Sequence, residues 1–162
     1  MGFELILSNH SFIQKQAVGE IMKCNQLTMG YGLVLSEEQA LELVETRTLA
    51  LKSTGRIEFG GGVIDKIIHT FCDSPYIMMQ NYEVTLHELV EIFYYYKNET
   101  LDLLGDDELI QFMKKAFDGK CGGSLDLLAG RELNKLADNL RRGHAADYDE
   151  DSRDEEDEDG EY

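Results

Sequence analysis

The side chains best suited to metal chemistry form two pairs at helical spacing. His87 and Glu91 are four residues apart, and His69 and Cys72 are three apart, so each pair would lie on one face of a helix. The stretch from residue 87 reads His-Glu-x-x-Glu, in which a glutamate replaces the second histidine of the zinc-protease motif. If the two helices pack antiparallel, all four side chains would form a site for zinc or iron. Surface polar pairs beside a small buried cysteine explain the same spacing.

A run of three glycines leads into a second candidate site. Backbone N–H groups of a glycine turn at a helix start can hold an anion, although this run has neither P-loop nor Gly-x-Gly-x-x-Gly spacing. A tight turn that needs positive φ explains the glycines equally well. The candidate anion ligands are Gly60, Gly61, Gly62 and Lys66.

No residue pattern predicts nucleophilic catalysis. Gly-x-Ser-x-Gly is absent, and Cys121 is a lone cysteine in a glycine-rich loop, for which histidines 10, 69, 87 and 144 are available in principle as a base. We therefore assign no catalytic residue.

The stretch at residues 85–98 predicts the central helix of the fold. Thr85 and Glu88 have the spacing of a capping box, and the apolar residues behind them recur at helical intervals. Its aromatic run, residues 93–96, spreads around most of the helix, so the helix is touched on most sides or offers tyrosines to a partner. The candidate interaction residues are Tyr94, Tyr95, Arg131 and Lys135, the last two from the one basic cluster.

The charge of the chain excludes several classes of partner. The net charge is −17, and residues 147–162 hold 11 acidic residues and one arginine. Phosphate binding requires clustered Lys and Arg, so we expect neither a nucleic-acid-binding protein nor one that docks on anionic membranes. No apolar run could span a bilayer, and three cysteines without a CxxC pair suit reduced thiols. We expect a cytoplasmic protein.

Helix signals recur along the chain, whereas paired strands do not. Ser36 and Gln39 form a second capping box, Ser74-Pro75 reads as a helix start, and residues 56–59 are the one short strand candidate. We predict an all-α fold, a single compact globule of six to eight helices over residues 1–143. Residues 144–162 are predicted to be a disordered acidic tail, because they lack the apolar residues needed to order it.

Four segments of the chain also resemble a known family. They are Phe71-Cys-Asp-Ser-Pro-Tyr-Ile77, Asn81-Tyr82 with Thr85-Leu86, Ile92-Phe-Tyr-Tyr-Tyr-Lys-Asn-Glu99, and Asp106-Asp-Glu-Leu-Ile-Gln-Phe-Met113. Over residues 3–142 the sequence is similar to a domain of unknown function found in small, mostly Gram-positive bacterial proteins. The resemblance implies a bacterial, cytoplasmic, single-domain protein and transfers no functional residues.

Two functional hypotheses follow. The first is a non-enzymatic interaction module or complex subunit without a cofactor, whose partner is a protein, a second copy of itself included. The alternative is a metal-binding protein or metal-dependent enzyme centred on His69, Cys72, His87 and Glu91.

Overall fold

The computed structural model describes residues 2–58 and 60–143, and for residues 2–11 it describes the backbone alone. Across these ranges the chain forms helices and no strand, which confirms the predicted all-α class. Shorter 3₁₀ turns occur at Met29–Tyr31 and Met79–Asn81, and a π-helical turn at Leu128–Glu132. The helices are α1 Gly2–Lys23, α2 Asn25–Thr28, α3 Glu37–Thr54, α4 Gly62–Phe71, α5 Tyr82–Glu99, α6 Asp106–Asp118, α7 Leu125–Leu127 and α8 Leu133–Arg141.

The start of α3 is capped as predicted, whereas the start of α5 is not. The Ser36 hydroxyl accepts the Gln39 N–H at 3.1 Å, and the Gln39 side chain accepts the Ser36 N–H at 2.9 Å. The predicted capping box at Thr85 is wrong, because α5 begins at Tyr82 and Thr85 is buried inside it. The apolar ring of Tyr82 is itself buried, which favours an earlier helix start.

Helix α5 packs against α3, α4, α6 and α8, so it is central to the described part of the chain. The core residues of α5 include Leu86, Leu89, Val90 and Phe93. The Tyr96 hydroxyl lies 2.5 Å from the Ala129 carbonyl oxygen, which ties α5 to the π-helical turn.

Helices α3 and α5 run parallel, side by side. Near their starts, Gln39 Nε2 donates to Glu83 Oε1 at 3.2 Å. Just past the end of α3, Arg56 Nη2 donates to Asn98 Oδ1, also at 3.2 Å, near the end of α5. The two helices therefore present matching turns along their whole length.

Two minor predictions of secondary structure are wrong. Residues 56–58 form no strand, and Phe59 lies outside the described residues. No helix begins at Ser74, whose hydroxyl instead donates to Asp118 Oδ1 at 2.6 Å and accepts the Tyr76 N–H, so it closes a turn.

The predicted tail, residues 144–162, also lies outside the described residues. The division of the chain into residues 1–143 and a disordered tail therefore stays a prediction. None of the described helices has the length and apolar character that crossing a bilayer requires.

Candidate functional site

The structure does not gather the four predicted metal ligands. His69 Nδ1 lies 2.8 Å from the carbonyl oxygen of Asp65, its own helix neighbour, and Cys72 is buried with its thiol toward the His69 carbonyl. Among the described residues one group of three potential ligands lies close enough to share an ion, and it consists of Glu42, Glu83 and His87. Of the four predicted ligands, only His87 belongs to it.

The cluster of Glu42, Glu83 and His87, called the α3–α5 cluster below, joins two helices. Glu83 and His87 are one turn apart on α5, with His87 Nε2 3.0 Å from Glu83 Oε2. Glu42 comes from α3, and one ligand atom from each residue lies within 4.8 Å of the others. Thr46 Oγ1 lies 2.7 Å from the second imidazole nitrogen, Nδ1. The parallel course of α3 and α5 produces this arrangement.

The two carboxyl groups of the α3–α5 cluster shift each other's pKa. A hydrogen bond with Glu83, and then the negative charge of Glu83, raise the pKa of Glu42 above its ordinary value. Partial burial acts to raise the pKa of Glu83, but hydrogen bonds with Glu42 and His87 outweigh it and lower that pKa. The site therefore concentrates negative charge that a proton or a cation would balance.

The glycine turn at residues 60–62 and the residue after it hold carboxylates of the chain itself through backbone N–H groups. The Gly61 N–H donates to Glu20 Oε1 at 2.7 Å, and the Val63 N–H donates to Glu58 Oε1 at 3.2 Å. Lys66, the predicted fourth ligand, lies 3.1 Å from Asp107 Oδ1. An external anion would have to displace Glu20 and Glu58, so the predicted anion site gains no support from this geometry.

Tyr94, predicted to lie on an interaction surface, is 2% exposed. Its hydroxyl donates to Glu58 Oε1 at 2.6 Å, and Arg47 Nη1 donates to the same oxygen at 3.2 Å. Burial, followed by the hydrogen bond to Glu58, raises the pKa of Tyr94 above its ordinary value of 10. Tyr94 thus serves a buried polar network.

The remaining predicted contact residues are exposed. Tyr95 is 57% exposed, and its ring packs edge-on against that of Tyr96 at 4.9 Å between centroids. Arg131 lies in the π-helical turn, where its Nε donates to Glu132 Oε2 at a distance of 2.7 Å. Lys135 is exposed on α8. Of the four, Tyr95 is the one that stands on the outer side of the α3–α5 pair.

Asp65, which interacts electrostatically with Arg47 of the buried polar network, makes the stability of the fold depend on pH. Burial is the main cause that raises the pKa of Asp65 above its ordinary 3.8, and the charge of Glu20 adds to it. Because the folded chain holds this proton more tightly than the unfolded chain, stability falls as pH rises from 3.8 through the raised folded-state pKa. Above that range the loss is complete and constant.

We therefore expect Asp65→Asn to raise the melting temperature at neutral pH, since the amide carries no charge to desolvate. The gain should shrink as pH falls and vanish below 3.8, where Asp65 is neutral in both states. Thermal unfolding followed by circular dichroism across this range measures it. Asp107→Asn, at an exposed carboxylate, is the matched control and should show no such gain. An Asp65→Asn protein that is less stable at neutral pH would contradict the assignment.

An exposed surface, called the α3–α5 face below, surrounds the α3–α5 cluster and continues past it. One stripe comes from each helix, with spacings of three and four residues that keep each stripe on one side. At its C-terminal half lies a groove of about 390 Å³ lined in part by Leu49, Ala50 and Tyr95. The residues of the α3–α5 face are Glu42, Glu45, Leu49, Ser53, Val84, Glu88, Glu91 and Tyr95, all exposed.

Sequence reasoning missed Glu42 and Glu83 as neighbours of His87. The i−4 spacing of Glu83 was available in the sequence, but Glu91 at i+4 has the same relation to His87. The position of α3, which brings Glu42 close to both Glu83 and His87, distinguishes the two.

Residues 20–146 match the model of a family of unknown function (DUF6323). The match covers more than half of the chain, so the chain belongs to this family, as its resemblance to a domain of unknown function predicted. No curated protein and no solved structure matches it.

Proposed function

We propose that this member of the DUF6323 family is a protein-interaction module whose α3–α5 face binds a basic amphipathic helix of a partner protein. The observation that carries the proposal is that exposed apolar side chains and exposed carboxylates that form no ion pair lie together on one described face. The expected setting is the bacterial cytoplasm, supported by the family resemblance and by three cysteines without a CxxC pair.

The apolar half of the α3–α5 face supplies contact area. Leu49 is 68% exposed on α3, and Tyr95 is 57% exposed on α5, with the groove between the two helices. Tyrosine is enriched at the energetic centres of interfaces because its ring is apolar while its hydroxyl still binds water or a partner. An apolar ridge of a helix, with side chains at i, i+3, i+4 and i+7, fits such a groove.

The acidic part of the face selects the charge of the partner. Four of the eight residues of the face are glutamates, namely Glu42, Glu45, Glu88 and Glu91. No ion pair within the described ranges involves any of these four, and the face itself contains no lysine or arginine. Lys and Arg flanking an apolar ridge would neutralise these carboxylates and speed the encounter. A second copy of the chain would oppose carboxylate to carboxylate, which disfavours self-association through this face.

Site-specific photo-crosslinking in the native host tests the proposal. p-Benzoylphenylalanine replaces Tyr95, and in a matched control it replaces Tyr31, which is 54% exposed on a 3₁₀ turn outside the face. We expect a crosslinked partner peptide specific to position 95, with apolar residues at helical spacing and flanking Lys and Arg. The yield of the crosslinked product should fall as salt is added, because salt screens the attraction between exposed carboxylates and the basic side chains of the partner.

Three outcomes would contradict the proposal. They are crosslinks from position 95 only to a second copy of the chain, the same products from positions 95 and 31, and a position-specific peptide that lacks basic residues.

A further inference from the structure

We propose that Glu42, Glu83 and His87 bind a divalent transition-metal ion, of which Zn²⁺ is the representative, between helices α3 and α5. Metal binding at the α3–α5 cluster requires no partner protein. The ion would lie at the N-terminal half of the α3–α5 face, whereas the groove beside Leu49 and Tyr95 lies at the other half.

The three ligand atoms converge from two helices. The Glu83 and His87 side chains lie one turn apart on α5, with 3.0 Å between Oε2 and Nε2, and Glu42 reaches them from α3. All three ligand atoms fit within 4.8 Å of one another. Two ligands bound to one metal at about 2.0–2.2 Å lie some 3–4 Å apart, so small side-chain rotations would close the site.

Neutral side chains outside the cluster orient two of the ligands. Thr46 Oγ1 lies 2.7 Å from His87 Nδ1, and Gln39 Nε2 donates to Glu83 Oε1 at 3.2 Å. With the Nδ1 proton donated to Thr46, Nε2 presents its lone pair toward Glu83 and Glu42, which is the tautomer that metal ligation requires. Each of these two ligands thus keeps one polar atom for the ion and has its other polar atom held in place.

The donor set defines the class of ion. An imidazole nitrogen favours zinc, iron and similar transition ions over magnesium and calcium, which prefer all-oxygen sites. Three protein ligands leave a fourth position for water or for a group from a partner. Two carboxylates and a neutral imidazole would also give a neutral site once a divalent ion is bound. The divalent ion would thus offset the repulsion between the two carboxylates.

Calorimetric titration of the full chain with Zn²⁺ tests the site. We expect His87→Gln and Glu83→Gln each to weaken Zn²⁺ binding by at least roughly tenfold to a hundredfold, the loss already typical of removing a group that only orients a metal ligand. The matched controls are His69→Gln on α4 and Glu91→Gln one turn further along α5, which change the same residue types outside the cluster and should bind Zn²⁺ as the unmodified chain does. Mg²⁺ should bind much more weakly than Zn²⁺ at the same concentration.

Long-range ¹H–¹⁵N spectra of the histidine rings of the unmodified chain give a readout that needs no variant. Sub-stoichiometric Zn²⁺ should shift His87 Nε2 first and leave the His69 ring unchanged. The proposal would be overturned if the chain does not bind Zn²⁺, or if Mg²⁺ binds as tightly as Zn²⁺. It would also be overturned if His87→Gln and Glu83→Gln bind Zn²⁺ as the controls do, or if Zn²⁺ shifts the His69 ring first.

Discussion

Replacing Glu58 by glutamine is expected to lower the free energy of unfolding by about 3–5 kcal/mol. Arg47 is 3% exposed, and among the described residues its one ion-pair partner is Glu58, with Nη1 3.2 Å from Oε1. Its Nε has no hydrogen-bond partner among the described residues, so the guanidinium depends heavily on this carboxylate. Without the charge of Glu58, the variant would keep a buried guanidinium that has lost its ion-pair partner.

Urea denaturation of Glu58→Gln and of the unmodified chain measures the loss. The double variant Arg47→Met, Glu58→Gln is the control, because removal of both charges leaves no unpaired ion and should recover much of the stability. A Glu58→Gln protein that loses less than about 1 kcal/mol, the value typical of an exposed pair, would show that Arg47 does not rely on Glu58.

Replacing Gly62 by alanine is expected to cost about 2–4 kcal/mol, the sum of backbone strain and damage to the same ion pair. Gly62 has φ +50°, where a Cβ is disfavoured. A Cβ there would also lie 2.5 Å from Glu58 Oε1 and 3.0 Å from Arg47 Nη1. The Glu58 side chain would have to move and would weaken its contacts with Arg47 and Tyr94.

Gly55→Ala separates the two contributions. Gly55 has φ +70° at the end of α3, but an added Cβ would meet nothing within 4 Å. It should cost only the strain of about 1–2 kcal/mol. Equal losses at the two positions, measured by the same urea denaturation, would show that Glu58 and Arg47 adjust freely around the glycine turn.

The start of a helix could be predicted from the sequence where neighbouring residues alone determine it. Ser36 and Gln39 cap α3 because a capping box needs only residues three apart in sequence. Thr85 and Glu88 show the same spacing, yet α5 begins earlier at Tyr82. The burial of Tyr82 depends on packing against other helices, which no local pattern reports.

The candidate site was predicted in part. His87 was predicted as a metal ligand and belongs to the α3–α5 cluster, but its neighbours there, Glu42 and Glu83, depend on the parallel packing of α3 beside α5. The glycine turn does hold anionic groups through its N–H groups, as such turns can. The anions are carboxylates from residues 20 and 58, one 41 residues from its donor in sequence, and a tertiary contact of this kind leaves no local signal.

Tyr94 and Tyr95 show the same limit at neighbouring positions. Both were predicted to face a partner, but a step of about 100° around the helix separates them. It turns Tyr94 into the core toward Glu58 and leaves Tyr95 on the α3–α5 face. The direction of α5 within the fold, and not the residue type, decides which tyrosine is available for contact.

The most direct test of the α3–α5 face as the functional surface is an equilibrium binding isotherm. The ligand is a synthetic peptide of the segment captured at position 95, titrated into the unmodified chain, Leu49→Ser and Leu103→Ser. Leu49 and Leu103 are both exposed, but only Leu49 lies on the face. We predict roughly tenfold or weaker binding for Leu49→Ser alone. Equal dissociation constants for all three proteins would contradict the account.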